Sequence, residues 1–197
     1  MERRKALKNI GLSFGYVAAT PTLFSILQSC KKDVSVNWKP VFFAENQALM
    51  LENLVDLILP TTENLPGAKE LNIPMFIDLS FEKLLEENEK ELLKKGATHA
   101  AAILESDDYS KEVCDSLLDS YFNAPAETQH EYLENASKEN PNEKALIYYF
   151  LNKVRSNTIW AYKQSEFIGE KVLVYDPVPG PFQGCIDWDN KLGYSLS

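Results

Sequence analysis

The sequence contains no Cys-x-x-Cys pair, no Gly-x-Gly-x-x-Gly turn and no P-loop. Structural zinc, a dinucleotide-binding fold and phosphoryl transfer therefore lack their usual sequence support. Histidine occurs only twice, at His99 and His130, so a Ser-His-Asp triad would have to be assembled around one of them without a nucleophile signature. The one Gly-x-Ser-x-Gly match, Gly11 to Gly15, lies inside a stretch that reads as an export signal, whereas a nucleophile elbow requires a strand before it and a helix after it, so the match is discarded. Without Cys-x-x-Cys-His, c-type heme cannot be attached to this chain. Basic charge is also scarce. The 20 Lys and Arg face 29 Asp and Glu, for a net charge of −9. Residues 1–29 carry Arg3, Arg4, Lys5 and Lys8 against Glu2 alone, so the rest holds 28 acids and 16 bases, a net −12. Such a surface repels a phosphate backbone, which excludes nucleic acid as a partner and makes an anionic lipid face a poor docking surface.

The leader supplies the first positive signal. A charged start, a weakly apolar stretch from Ile10 to Leu27 and then Ser29-Cys30 form the three parts of an export signal. Gly11, Gly15 and Pro21 dilute the apolar stretch below what a stable membrane-spanning helix needs, although an uncleaved N-terminal anchor is the alternative. Arg3 and Arg4, followed by Leu7 and Lys8, resemble a twin-arginine signal, with Glu2 and Ala6 departing from it. Leu27 and Ser29 before Cys30 resemble a lipobox, in which Cys30 becomes the lipidated first residue. Several acyl chains on one cysteine would hold even an acidic protein on a membrane. The expected organisation is a signal over 1–30, a tether over 31–40 and one domain over 41–197, on the periplasmic side of the envelope.

The domain reads as all-α, an irregular bundle of about five helices with a non-helical C-terminal tail from about residue 170. Leu51, Leu54, Val55 and Ile58 recur at helical spacing between Glu45 and Leu59, and Pro60 ends the run. Asn64, Pro66 and Gly67 mark a loop with at most a short turn at Ala68 to Leu71. A second helix starts near Pro74 and turns Ile77, Phe81, Leu84 and Leu85 inward. Leu93, Ala97, Ala100 and Leu104 continue a helical stripe, with Gly96 a candidate break. The mixed charges between Glu86 and Lys95 read as a solvated face. Helices are expected over Lys111 to Phe122, Pro125 to Ala136 and Glu143 to Gln164. In the last, Ile147, Leu151, Val154, Thr158 and Ala161 form the inward line, and Tyr149, Phe150, Trp160 and Tyr162 widen it. Lys171 to Tyr175 alternates as a short strand would. The tail then carries Phe182, Ile186, Trp188 and Tyr194 with no period, so these side chains pack back on the helices or dock on another protein.

Glu127 and His130 have the Glu-x-x-His spacing of carboxylate-bridged di-iron bundles, but that site needs the unit twice. Gly96 stands three residues before His99, so the second unit is missing and His130 reads as a surface histidine among acids. Catalysis by Glu127 and Glu131 is equally poorly supported, since neighbouring acids on a helix are usually solvated. In an oxidising compartment, Cys114 and Cys185 leave three arrangements open: a buried free thiol at Cys114, an internal bridge, or a bridge from Cys185 to a partner.

Phe43-Ala44-Glu45 through Leu51, Val55 to Thr62, Pro66-Gly67-Ala68 and Phe76-Ile77-Asp78 resemble the gluconate 2-dehydrogenase subunit 3 family. Pro179-Gly180, Gly184-Cys185 and the twin-arginine leader resemble it too. The resemblance implies a small, non-catalytic helical subunit paired with a large flavin-dependent dehydrogenase, often with a cytochrome c. FAD would then belong to the large chain and heme c to the cytochrome, and Phe182, Cys185 and Trp188 would serve docking or a disulfide. The other reading is a standalone lipid-anchored envelope protein that binds another protein or a small ligand.

Overall fold

The computed structural model describes residues 36–173, all within one compact unit. Six α-helices follow one another among the described residues: α1 (Glu45–Ile58), α2 (Ile73–Leu84), α3 (Glu87–Leu104), α4 (Lys111–Phe122), α5 (Ala126–Ala136) and α6 (Glu143–Gln164). A 3-10 turn, Glu105–Asp107, extends α3, and a π-helical turn, Ile168–Val172, follows α6. The fold is all-α, with no strand among the described residues. The period-based core holds. Leu51, Leu54, Val55, Leu151, Val154 and Thr158 have no accessible surface, and Ile147 and Ala161 are buried beside them. Thr158 meets the cost of burying a hydroxyl by donating to the Val154 carbonyl at 2.7 Å.

Helix α6 is the hub, packed against α1, α2, α3 and α5. Its closest neighbour is α3, and the contact depends on a residue expected to break that helix. Gly96 lies in mid-helix, where a Cβ would stand 2.3 Å from the Leu146 carbonyl oxygen and 2.8 Å from Phe150 Cβ. The glycine lets two backbones approach, which outweighs its low helix propensity. The break falls instead at Leu85, whose extended backbone separates α2 from α3, and this adds a helix to the expected count of about five. Leu84, expected to face inward, is the most exposed large apolar residue of α2.

Between α3 and α4 the chain reverses through two left-handed residues, Asp108 (φ 49°) and Tyr109 (φ 58°). That conformation is unfavourable for a bulky side chain, so its neighbours must hold it. Asn46 donates to the Tyr109 hydroxyl and Asn53 to its carbonyl, each at 2.8 Å, both from α1. The loop after α1 folds back on itself through Gly67, whose N–H donates to Thr61 Oγ1 at 3.1 Å. The Tyr162 hydroxyl ties the same loop to α6 by donating to the Pro66 carbonyl at 2.9 Å.

The expected strand from Lys171 does not form within the described residues. An isolated strand has no partner to hydrogen-bond, and the chain instead closes a wide turn in which the Leu173 N–H donates to the Ile168 carbonyl at 2.9 Å. Val174 and Tyr175 lie outside the described residues.

Candidate functional site

Two features stand out from ordinary core packing. The first is a strap, residues 36–44, clamped across α1 and α2. Asp78 of α2 is 1% exposed, and its carboxylate accepts three consecutive backbone N–H groups, from Val41 (2.7 Å), Phe42 (3.1 Å) and Phe43 (2.9 Å). The anion thereby satisfies donors that precede a helix and would otherwise be buried unpaired. It also sets Phe42 and Phe43 edge-on to Phe81, at 5.7 and 6.1 Å between ring centroids, and Phe43 reaches Phe150 at 6.0 Å. Nearer the N-terminus, Trp38 Nε1 donates to Glu52 at 2.7 Å, and Lys69 pairs with the other oxygen of the same carboxylate at 2.7 Å. Trp38 lies in the stretch read from sequence as tether, yet it is already bound to the fold.

The second feature is an apolar outer face formed by α2 and α6. Helix α2 is apolar nearly all round. Ile73, Ile77 and Phe81 enter the core, while Met75, Phe76, Leu79 and Leu84 point outward. From α6, Trp160 lies against Phe76, with ring centroids 6.0 Å apart and planes tilted by 30°. These five outward side chains are 42% to 76% exposed. A hollow lies on each side of the Phe76–Trp160 pair. One, of about 190 Å³, is lined by Ser80, Phe81, Leu84, Leu85, Asn157 and Trp160. The other, of about 160 Å³, is lined by Leu71, Ile73, Phe76, Ala161, Gln164 and Ser165. No lining residue is charged, although one residue in four of the chain is. Trp160 was expected to widen the buried band. It sits two positions from Thr158 on a helix, which carries it off the inward line, and that offset was the available signal.

The polar candidates do not converge on a centre. His130 is exposed and meets only Glu134, with Nε2 3.3 Å from Oε1. His99 stands 3.7 Å from Glu143 on another surface. No three His, Cys, Asp or Glu side chains gather as metal ligands among the described residues. Cys114 is a fully buried free thiol whose Sγ donates weakly to the Tyr109 carbonyl at 3.6 Å, and burial pushes its pKa up to about 11. A thiol so protonated is a packing group, not a nucleophile. The sequence-derived export, lipidation and docking residues, Arg3, Arg4, Cys30, Phe182, Cys185 and Trp188, all lie outside the described residues.

What can such an arrangement do? An apolar face with an aromatic pair and two hollows suits recognition of another surface more than chemistry. The family model described as gluconate 2-dehydrogenase subunit 3 matches residues 45–180, well over half of the chain. The chain belongs to the gluconate 2-dehydrogenase subunit 3 family. No curated protein and no solved structure matches it. Membership agrees with the sequence resemblance and gives the strap and the apolar face a context. In a family named for one subunit of a dehydrogenase, surfaces built for contact are expected. Asp78 and Gly67, both in segments that resemble the family, have structural roles here: one pins the strap and the other closes the loop after α1.

Proposed function

We propose that this chain is the non-catalytic small subunit of a periplasmic, FAD-dependent dehydrogenase complex of the gluconate 2-dehydrogenase kind, assisting export, assembly and membrane attachment of the flavoprotein subunit. The observation that carries the reading is the family match over residues 45–180. The apolar face of α2 and α6, whose two hollows have no charged lining, supports it, because a subunit needs a surface from which water can be excluded. In this reading FAD is held by the large chain, and a cytochrome c with its heme accepts the electrons. Arg3 and Arg4 direct export, lipidated Cys30 holds the complex on the membrane, and Phe182, Cys185 and Trp188 contribute to docking, with Cys185 the candidate for a disulfide to the partner.

The test is affinity purification of the tagged full chain from its own membranes in detergent, followed by a visible spectrum and mass spectrometry of non-reduced bands. A yellow complex with a large flavoprotein is the expected result. A colourless single species would overturn the reading and favour a standalone lipid-anchored envelope protein. Replacing Cys30 by Ser should release the protein into the soluble periplasmic fraction, and a protein that stays on the membrane would remove the lipid anchor from the proposal.

A further inference from the structure

The described chain enters the fold beside its exposed apolar face. Asn37 and Trp38 line a small hollow together with Met75 of α2, and the Trp38 side chain is fixed there by its 2.7 Å hydrogen bond to Glu52. In the reading above, the lipid is carried on Cys30. Trp38 follows Cys30 by eight positions, and even a fully extended chain of that length reaches no more than about 28 Å. That is shorter than α6, whose 22 residues rise about 33 Å. Trp38 can therefore never be farther than this from the bilayer, and Met75 is kept near it as a neighbour of Trp38. Met75, Phe76 and Leu79 adjoin one another on α2 by helical spacing, and Phe76 carries the patch across to Trp160.

The charges beside the patch differ from those of the chain as a whole. A net −9 opposes spontaneous docking on anionic lipid, but a covalent anchor makes spontaneous docking unnecessary. Lys83 follows Leu79 by four positions and Lys163 follows Trp160 by three, so each exposed lysine is the surface neighbour of an exposed apolar side chain. Lys39, next to Trp38, is exposed as well, whereas Glu82, the acid three positions after Leu79, is half-buried. Lysine is depleted at protein interfaces. Beside Trp, Phe and Leu it is the pattern of a helix lying in the headgroup layer, with apolar side chains down and ammonium groups up. We infer that the α2–α6 face rests on the lipid surface, with Met75, Phe76, Leu79 and Trp160 at the boundary between headgroups and acyl chains and with Lys83 and Lys163 at the lipid phosphates. The uncharged hollows of about 190 and 160 Å³ on either side of the Phe76–Trp160 pair would then take up acyl methylene groups. This rests on the lipid-anchor reading above.

The experiment uses the full chain in its own membranes, supplied with a phospholipid that carries a photoactivatable diazirine in its acyl chain, and maps the adducts by mass spectrometry. Adducts are expected on the segment from Met75 to Lys83 and at Trp160. Ile103 on α3 and Leu133 on α5, exposed apolar residues of other helices, should stay free of them. The double variant Leu79→Ser and Trp160→Ser should remain on the membrane through Cys30 but lose adducts on α2 at least about tenfold, since two apolar side chains no longer favour the lipid. Its melting by circular dichroism should match wild type, because both altered residues are exposed. Adducts at Ile103 or Leu133 equal to those on α2 would mean that the domain has no fixed side toward the bilayer, and this inference alone would fall. It would also fall if α2 and Trp160 carried no adducts yet were shielded from hydroxyl radicals in water, because a protein surface would then cover the face, be it the large subunit, a second copy or the chain's own C-terminal segment. Wild type recovered in the soluble fraction would remove the lipid anchor itself and this inference with it.

Discussion

Helix α6 has two neighbourhoods. Toward α3 it is packed so closely that Gly96 has no room for a methyl group, and Phe150 beside it has no accessible surface. Toward the outer side of α2 it leaves Trp160 half exposed against an equally exposed Phe76. Both sides use large apolar residues on the same helix. Residue type and spacing therefore decide which side chains share a face, but only the presence of a second surface decides whether that face is buried. The α3 seam finds that surface within the chain, and the α2 face does not among the described residues.

Substitutions should separate the two sides by size of effect. Phe150→Ala should destabilise the domain by about 4 kcal/mol, the cost of a cavity at a fully buried aromatic, read from urea unfolding with an unchanged slope. Gly96→Ala should cost about 3 kcal/mol as α3 and α6 are pushed apart. The same change in an open helix would stabilise by about 1 kcal/mol, so a gain at Gly96 would mean that the seam is not close-packed. Asp78→Ala should cost about 2 kcal/mol by leaving the N–H groups of Val41, Phe42 and Phe43 without their carboxylate, and should expose the strap to limited proteolysis. At the small end, Trp160→Ser and Leu79→Ser should each change stability by less than about 0.5 kcal/mol. A large loss of stability there would erase the contrast.

A pH dependence probes the packed side from another direction. Burial raises the Cys114 thiol from 9.0 to about 11, and raises Tyr121, Tyr148, Tyr149 and Tyr162 above their ordinary value as well. The folded chain keeps these protons after the unfolded chain has released them. The stabilisation is complete below 9.0 for the thiol and is lost as pH rises through about 11. Urea midpoints should fall across that window, and Cys114→Ala should flatten the decline while the tyrosines keep their share. A midpoint that rises instead would contradict the buried thiol.

Where the sequence period was strong, the fold could be read from it. The helix from Glu143 to Gln164 and the one from Lys111 to Phe122 have the expected bounds, and α1 ends one residue before the expected Leu59. Regular spacing reports a local property, so local structure can be read from it. Close approach at Gly96 is not local. It depends on Leu146 and Phe150, about fifty residues away, and from sequence a helical glycine looks like a weakness. Lys171 to Leu173, the described part of the expected strand, is not extended into one for a similar reason, since alternation cannot supply the partner that a strand needs. The exposed apolar face was missed because α2 carries apolar residues on two sides, and an inward reading of Leu84 and Trp160 assumed that every apolar residue has a place in the core of its own chain.

The Asp78 clamp also gives the chain a built-in order of events. Val41 to Phe43 are made early but acquire their hydrogen-bond acceptor only when a residue some thirty-five positions later has been synthesised and α2 has formed. Until then their N–H groups lack that acceptor. Afterwards the described chain is secured from Trp38 onward, because Glu52 holds the Trp38 side chain and Asp78 holds the backbone from Val41 to Phe43.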